Sequence, residues 1–523
     1  MDASLRFSWA GATVDFDTTN GTVLGVRHPA QPGLNYLTGL WLPTLTRDGQ
    51  PVRWSTPTLA VDHDELELTA GAGPLRVTLR HSFLAVWTVR LVLAVTDDQP
   101  GRLTAELPMA PGPGAVGWGM AAGAEADYTV HPPSGRGPLL GGSLRRGAVR
   151  RLDPHALVLE QVELGAAKRY VLQWQWDFYA SPRAYGESRT HGLPTATAAL
   201  VDEPVTFSAG DDVVVLPPAA VGAEREGEVH ELTAGQAGTY PLELRSARGR
   251  TRLDLHWAEP AVVLGRAAEA VLARRPTTAG VVRLSGAAEA LVVQHALATG
   301  LPDPPAAEEA LDLYTARRLA APSLSVLEAA YLAAEAGRTG DVDARDAARR
   351  AVMATTQTEP GLGVTGMRLA LTLTVAGETP APVLRHLEAL ARSLPPPATG
   401  SVSTQAAAVE LLAVTAAGPG ARTSDPAGRD ASTDAASRAR ALGALLGGGL
   451  PGQALRPLDA ADLSQVLGTL LLLPEATDDG AIAWWGCSPA ALARRLLPQV
   501  LARLQDREVG LAHAWLTLLA PAG

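Results

Sequence analysis

The sequence predicts an α+β fold with two domains, an N-terminal antiparallel β-sandwich followed by a C-terminal (α/α)6-like helical toroid. Near residue 260, alternating Val, Leu, Thr and Trp segments give way to Ala-, Leu- and Arg-rich segments with helical spacing. We therefore expect a sandwich domain over residues 1–260 and an all-α toroid domain over residues 261–523. A chain of 523 residues is long enough for both domains to bury a core.

The first half contains many short segments with strand character, separated by turn residues and with no helical segment predicted between them. The dipeptide Asn20-Gly21 is typical of hairpin turns, because both residues tolerate positive φ. Many short strands in succession favour an antiparallel sandwich. Strands are predicted at 13–16, 22–26, 59–61, 66–69, 75–80, 84–95, 103–107, 156–162, 170–176, 213–216, 228–232, 238–244 and 251–257.

The second half contains about twelve helical segments, which would form six helical hairpins. They share no clear internal repeat, so an (α/α)6 toroid fits their number better than a repeat array does. Ser323, Ser403, Asp459 and Ser488 stand where helix N-caps are expected. The helices are predicted to begin near residues 263, 284, 306, 323, 341, 364, 380, 402, 431, 459, 488 and 508.

Charge and hydropathy exclude several classes of partner. The net charge of -10 argues against nucleic-acid binding, which needs a basic surface. Apolar runs fall far short of the roughly 18 residues of a membrane span. The opening MDASLRFSWAGATVDFD has no apolar signal region, so we expect a cytoplasmic protein. The oligomeric state does not follow from the sequence.

The motifs of metal and nucleotide chemistry are missing from the sequence. Cys487 is the single cysteine, so neither an internal disulfide nor a cysteine-based zinc site can form. The sequence contains no phosphate-binding loop, dinucleotide fingerprint or His-Glu-x-x-His motif. We therefore expect no bound cofactor and no metal.

The opening from Phe7 to Trp41 reads FSWAGATVDFDTTNGTVLGVRHPAQPGLNYLTGLW, a strand, a turn, a second strand and an aromatic-bearing loop. This stretch resembles the first hairpin of the sandwiches of bacterial glucoamylases and inverting disaccharide phosphorylases. The order of sandwich and toroid is similar to theirs as well. The resemblance implies a carbohydrate-active enzyme with a small-molecule or oligosaccharide substrate in a cleft between the two domains. The predicted toroid is shorter than theirs usually are.

The densest group of candidate binding residues lies in YVLQWQWDFYASPRAYGESRTHG, residues 170–192. Strand periodicity places its Trp residues on one face and polar residues on the other. Arg and Tyr side chains follow within about ten positions and could bind a polyhydroxylated or anionic ligand. Alternatively, the Trp face packs in the sandwich core and the polar face forms a solvated or interdomain network. The candidate substrate-binding residues are Trp174, Trp176, Asp177, Tyr179, Arg183, Tyr185, Arg189 and His191.

The helical half contains a second candidate site in the loop EATDDGAIAWWGCS, where Asp478 and Asp479 precede Trp484 and Trp485. Inverting glycoside hydrolysis needs one protonated carboxyl group and one ionised carboxylate. Asp478 or Asp479 would act opposite Glu359, which lies in another long Gly- and Pro-containing loop. The two tryptophans would contact the sugar. The alternative is that these carboxylates are only solvated.

Three functional interpretations remain open at the level of sequence. The first is a carbohydrate-active enzyme, glycoside hydrolase-like if it is catalytic. Only five of the 24 aromatic residues follow residue 260, which instead favours a non-catalytic binding or scaffold protein of the same architecture. The third is a biosynthetic cyclase or lyase that acts on an apolar intermediate in an aliphatic toroid cavity.

Overall fold

The computed structural model has an α+β fold and describes residues 4–96, 101–165, 168–189, 193–194, 196–274, 282–300, 303–394, 401–416, 431–450, 452–455, 458–473, 485–504 and 507–519. The chain forms two compact units. The sandwich unit comprises Met1–His256 together with Ala444–Pro457, and the helical unit comprises Trp257–Gly443 together with Leu458–Gly523.

The sandwich unit is built from antiparallel strands. The strands of its first half are β1 (Ser4–Trp9), β2 (Ala12–Asp17), β3 (Val23–Arg27), β4 (Leu37–Gly39), β5 (Thr44–Arg47), β6 (Gln50–Val52), β7 (Thr58–Val61), β8 (Glu65–Ala72), β9 (Leu75–Phe83), β10 (Trp87–Val95), β11 (Gly101–Pro111), β12 (Val116–Ala121) and β13 (Ala126–His131). Those of the second half are β14 (Leu139–Arg146), β15 (Val149–Asp153), β16 (Ala156–Leu159), β17 (Val162–Leu164), β18 (Arg169–Tyr179), β19 (Ala198–Leu200), β20 (Val205–Ser208), β21 (Val214–Leu216), β22 (Gly222–Glu226), β23 (Val229–Thr233), β24 (Gly238–Ser246), β25 (Gly249–Ala258) and β26 (Gln453–Ala454).

Two large sheets enclose the core of the sandwich unit. One has the order β1-β2-β3-β4-β11-β16-β15, with β5 and β17 also paired with β11 and with β6 paired with β5. The other has the order β26-β12-β13-β14-β18-β10-β9-β8-β7. Apolar side chains from both sheets form one continuous cluster, including Phe16 from the first sheet and Trp87, Trp174 and Trp176 from the second. The alternating burial along these strands explains why the sequence forms a sandwich.

The helices follow the sandwich strands, except for the short α1 that succeeds β18. Their bounds are α1 (Pro182–Ser188), α2 (Pro260–Leu272), α3 (Ala287–Thr299), α4 (Pro304–Leu319), α5 (Val326–Thr339), α6 (Val342–Ala354), α7 (Leu362–Val375), α8 (Ala381–Arg392), α9 (Val402–Ala416), α10 (Ala431–Leu445), α11 (Ala460–Leu471), α12 (Pro489–Leu504) and α13 (Leu511–Leu519).

The helical unit closes into a ring. The odd-numbered helices contact one another in the order α3, α5, α7, α9, α11 and α13, and α13 contacts α3 again. Outside this ring, α4 contacts α6 and α6 contacts α8, while α12 contacts α2. An inner ring of six helices with outer helices packed on it is the arrangement expected of an (α/α)6 toroid.

Some elements differ from the prediction. The predicted strand 84–95 begins only at Trp87, because residues 84–86 form the bend between β9 and β10. The segment 156–162 divides into β16 and β17. Helix α5 is capped by Ser325 rather than by Ser323, and Ser325 forms a reciprocal capping box with Glu328. Asp459 caps α11 as predicted.

Helix α1 is a further difference, since no helical segment was predicted in the first half of the chain. Ser181 accepts a hydrogen bond from the backbone N–H of Ala184, and Pro182 occupies the first helical turn.

No helix in the described part of the chain has both the length and the apolar character needed to cross a bilayer.

Candidate functional site

Strand β18 presents two different faces, as its period-2 pattern predicts. Trp174 and Trp176 are each 1% exposed and lie in the core between the two large sheets. Trp176 packs on Trp87 at a ring-centroid distance of 5.9 Å. The structure therefore places both indoles according to the core-packing alternative, and they take no part in the site described below.

The opposite face of β18 continues across β14 and β13 as a polar surface. Asp127 lies opposite Ser143, and Ser143 lies opposite Gln175. Cross-strand partners share one face of a sheet, so these three polar side chains lie side by side. Helix α1 follows β18 directly and places the ring of Tyr185 on this face.

Asp127, Tyr185 and Arg189 form a hydrogen-bonded group on this polar face. Arg189 Nε donates to Asp127 Oδ2 at 2.5 Å, and Arg189 Nη2 lies 2.5 Å from the same oxygen. The Tyr185 hydroxyl lies 3.1 Å from Asp127 Oδ1 and 2.9 Å from the carbonyl oxygen of Gly142. Both carboxylate oxygens are therefore occupied, and the carboxylate fixes the position of the guanidinium.

Tyr185 can pack here because Gly141 has no side chain. A Cβ atom at Gly141 would lie 2.5 Å and 2.6 Å from two ring carbons of Tyr185 and 2.8 Å from the ring of Tyr179. The two tyrosine rings meet edge to face with centroids 5.0 Å apart. Burial, followed by the charge of Asp127, raises the pKa of Tyr185 well above its usual value. The phenol therefore stays protonated at neutral pH.

A second ion pair adjoins this group. Arg248 Nη1 lies 2.9 Å from Glu125 Oε1, and Arg248 also donates to the carbonyl oxygens of Ala124 and Leu144. Burial raises the pKa of Glu125 to about 7, against the opposing effect of the Arg248 charge. A carboxyl group with this pKa exchanges a proton near neutral pH, as a general acid or base must.

A small cavity borders the Arg189 group. Its volume is about 10 Å³, room for roughly one water molecule. The Trp118 indole N–H donates to the carbonyl oxygen of Leu450 at 3.0 Å, and Thr129 Oγ1 donates to the carbonyl oxygen of Trp118 at 3.3 Å, so these walls are held in place. The lining residues are Trp118, Gly119, Asp127, Thr129, Tyr185, Arg189 and Leu450.

The remaining candidates of residues 170–192 lie apart from this group or at its edge. Asp177 is half-buried and accepts the backbone N–H of Phe178, and burial raises its pKa. Tyr179 packs on Tyr185 at the edge of the group. Arg183 is exposed and forms a salt bridge with Glu187 on the surface of α1. His191 lies outside the described residues.

The candidates of the helical unit are not brought together in the described part of the structure. Glu359 is half-buried in the connection before α7. Trp485 is 3% exposed and packs against Gly443, so its indole is a core side chain of the helical unit. Asp478, Asp479 and Trp484 lie outside the described residues.

Sequence reasoning missed the acidic members of the site. Glu125 and Asp127 belong to the segment AEADYTVH, in which polar residues alternate with Ala126, Tyr128 and Val130. Two acidic residues, spaced two apart where a strand with alternating polar residues begins, were the available signal. The pairing of Asp127 with Arg189 joins residues 62 positions apart, and no local pattern reveals it.

Within the described ranges, no group of three or more His, Cys, Asp or Glu side chains is placed to hold a metal ion. Asp127 already contacts Arg189 and Tyr185, which leaves its oxygens little capacity for a cation.

Comparison with known proteins shows a similarity of fold. A solved structure of a polysaccharide lyase aligns over 95% of this chain and 94% of its own, with a TM-score of 0.72 and 12% identity. A putative aldose 1-epimerase from Escherichia coli K12 covers 34% of this chain and 99% of its own, with a TM-score of 0.23 and 10% identity. A glycoside hydrolase of family 81 from Clostridium thermocellum covers 99% and 85%, with a TM-score of 0.22 and 8% identity. No family model and no curated protein matches the sequence.

Proposed function

We propose that this chain is a carbohydrate-active enzyme that cleaves a polysaccharide. The observation that supports it most strongly is the alignment of both units, over 95% of the chain, with a structure described as a polysaccharide lyase. Similarity of fold by itself transfers no chemistry, so the proposal also rests on the residues of the site.

The polar face of the sandwich unit offers groups suited to such a substrate. Arg189 is a charged donor of fixed position, and Glu125 has a pKa of about 7. Charge-assisted hydrogen bonds are the strong contacts available to a polar sugar. Glu125 would exchange a proton with the substrate at the bond that is cleaved. Asp127 and Tyr185 would position Arg189 without reacting themselves.

For the reaction that breaks the glycosidic bond, we propose elimination rather than hydrolysis. A hydrolase of the glucoamylase type, or a phosphorylase, would use Glu359 with Asp478 or Asp479, and this assignment stays a prediction. Elimination is favoured because the solved structure that aligns with a TM-score of 0.72 is described as a lyase.

Incubation of the protein with a panel of neutral and acidic polysaccharides tests the proposal. Size-exclusion chromatography detects cleavage of the polymer. Elimination leaves a carbon–carbon double bond that absorbs ultraviolet light, whereas hydrolysis adds water and leaves only new reducing ends. Shortened chains with new ultraviolet absorbance are expected. Shortened chains without it would identify a hydrolase, and an unchanged size distribution across the panel would contradict the proposed function.

A further inference from the structure

We infer that Arg189 binds an oxyanion substituent of the substrate, so that the polysaccharide is acidic and carries uronate carboxylates or sulfate esters. This inference rests on the proposed function and names the substrate class of the same site. It is argued from the contacts of the guanidinium, the charge around it and the size of the cavity beside it.

The guanidinium of Arg189 keeps donors available for a ligand. Its contacts with Asp127 go to a single oxygen, Oδ2, through Nε and Nη2. Among the described residues, Asp127 supplies the acceptor for each of the guanidinium contacts of Arg189. Arginine has five N–H donors in a planar fork that suits oxyanions. The side chain is 11% exposed, so most of it is desolvated while one edge borders the cavity.

The surrounding charge favours an anion. Arg145, Arg189 and Arg248 face two carboxyl groups, those of Glu125 and Asp127, and the charges of all three arginines act on Glu125. Arg145 Nε donates to the side-chain oxygen of Gln175 at 2.7 Å. Because Gln175 is neutral, this hydrogen bond does not offset the positive charge of Arg145. The cluster therefore has an excess of positive charge in a chain whose net charge is -10.

The cavity fits one oxygen atom rather than a sugar ring. Its volume of about 10 Å³ admits a group the size of a water molecule. One oxygen of a carboxylate or sulfate has this size, and it would meet the Arg189 donors with the ring left outside. Thr129 borders the same cavity, but its hydroxyl group already donates to the carbonyl oxygen of Trp118 and lies 2.8 Å from His131 Nε2, so the oxyanion would meet the donors of Arg189.

The test compares binding of each acidic polysaccharide with binding of its carboxyl-reduced form and of its desulfated form. Wild-type protein is expected to bind at least one acidic polymer about tenfold more tightly than one of its two neutralised forms. The form that loses affinity distinguishes carboxylate from sulfate. Equal affinity for the acidic and both neutralised forms, or no binding of any acidic polymer, would overturn the inference.

Variants of Arg189 test whether this residue causes the preference for acidic polymers. Arg189→Gln should lose it, while Arg189→Lys should keep part of it, since lysine retains the charge without the planar fork. Arg151→Gln is the matched control, because Arg151 is exposed and pairs with Asp153 on β15. An Arg189→Gln protein that folds and keeps the full preference would also overturn the inference.

The two proposals fail separately. Cleavage of a neutral polysaccharide would support the proposed function and overturn the acidic substrate class. Selective binding of an acidic polymer that is never cleaved, with the selectivity lost in Arg189→Gln, would support the role of Arg189 and contradict the proposed function. The comparison of polymers needs only the wild-type protein, so it holds even if the Arg189 variants fail to fold.

Discussion

His81 on β9 is a buried histidine inside the sandwich core, 0% exposed and packed on Phe16 and Trp87. Neither ring nitrogen has a hydrogen-bond partner among the described residues. Burial lowers the pKa of His81 to about 3. Between pH 6.5 and pH 3 the unfolded chain therefore binds a proton that the folded chain excludes, and stability is lost as the pH falls through this range.

Replacing His81 with Leu should remove this dependence. As the pH falls below 6.5, the unfolding free energy of His81→Leu should rise relative to wild type by at most about 1.4 kcal/mol per pH unit. Urea unfolding at pH 7.5 and pH 5 measures the difference. His131 has a similarly lowered pKa and is present in both proteins, so its effect cancels. A difference that does not change with pH would show that His81 is not the buried titrating group.

Gly142 on β14 is required by the packing of the tryptophan core. A Cβ atom there would overlap Trp174 Nε1 and the ring of Trp176. Gly142→Ala should destabilise the sandwich unit by about 1–3 kcal/mol, the usual cost of overpacking a core. Gly265→Ala in α2 is the control, because nothing lies within 4 Å of its added carbon. Thermal unfolding should show a loss for the first variant and a gain of up to about 1 kcal/mol for the second; equal effects would contradict this packing.

At the residue scale, the sequence predicted the two faces of β18 but not their partners. Alternation alone separated Trp174 and Trp176 from Asp177 and Tyr179. It could not indicate that Arg189 contacts Asp127, because several strands and helix α1 lie between the two residues in the chain. The site therefore depends on strand register, which local periodicity does not specify.

At the element scale, helix α7 begins without a side-chain cap of its own. Its N-cap is Gly361, with φ of +83°, and the buried Glu410 of α9 takes the place of a capping side chain. Glu410 accepts the backbone N–H groups of Gly361 at 2.9 Å and Val364 at 2.7 Å. Burial raises the pKa of Glu410 to about 7, although these backbone hydrogen bonds oppose the change.

The raised pKa of Glu410 has a defined consequence for stability. Between pH 4.5 and pH 7 the folded chain binds a proton that the unfolded chain has released, so this group's contribution to stability falls as the pH rises. Glu410→Gln should abolish that fall. The unfolding free energy of the variant relative to wild type should therefore rise between pH 5 and pH 8. Denaturant unfolding at both values measures it, and a constant difference would contradict the assignment.

Helix boundaries show how far sequence patterns reach. Most capping residues are next to their helix in the sequence. The cap of α11, Asp459, was therefore predicted correctly, and the predicted cap of α5 was wrong by only two residues. The cap of α7 comes from a residue 49 positions from Gly361 and could not be found in this way. Helix α1 escaped prediction because a helix of seven residues leaves almost no periodic signal.

At the scale of the whole molecule, the ring of inner helices closes where α13 meets α3 and α11. The change in composition near residue 260 predicted strands followed by helices, and the number of helices favoured a toroid. Closure itself depends on contacts between the two ends of the helical unit. No repeat in the sequence indicates those contacts.

Trp515 of α13 tests the importance of closure. It is 5% exposed, and a Cβ atom added at Gly361 would lie 2.9 Å from its ring. Trp515→Ala should cost about 3–5 kcal/mol in the helical unit. Val375→Ala is the control, since Val375 is 91% exposed at the end of α7. Hydrogen exchange should accelerate in α3 and α11 for the first variant only; unchanged exchange there would contradict a ring that depends on α13.

The most direct test of the central claim is the size distribution of acidic polysaccharides after incubation with wild-type protein and with Arg189→Gln. We expect wild-type protein to shorten at least one acidic polymer, with new ultraviolet absorbance, and the variant to do so at least about tenfold more slowly, because it loses a charge-assisted hydrogen bond to the substrate. Unchanged polymers with wild-type protein, or equal rates for the two proteins, would contradict the claim that this chain cleaves an acidic polysaccharide held by Arg189.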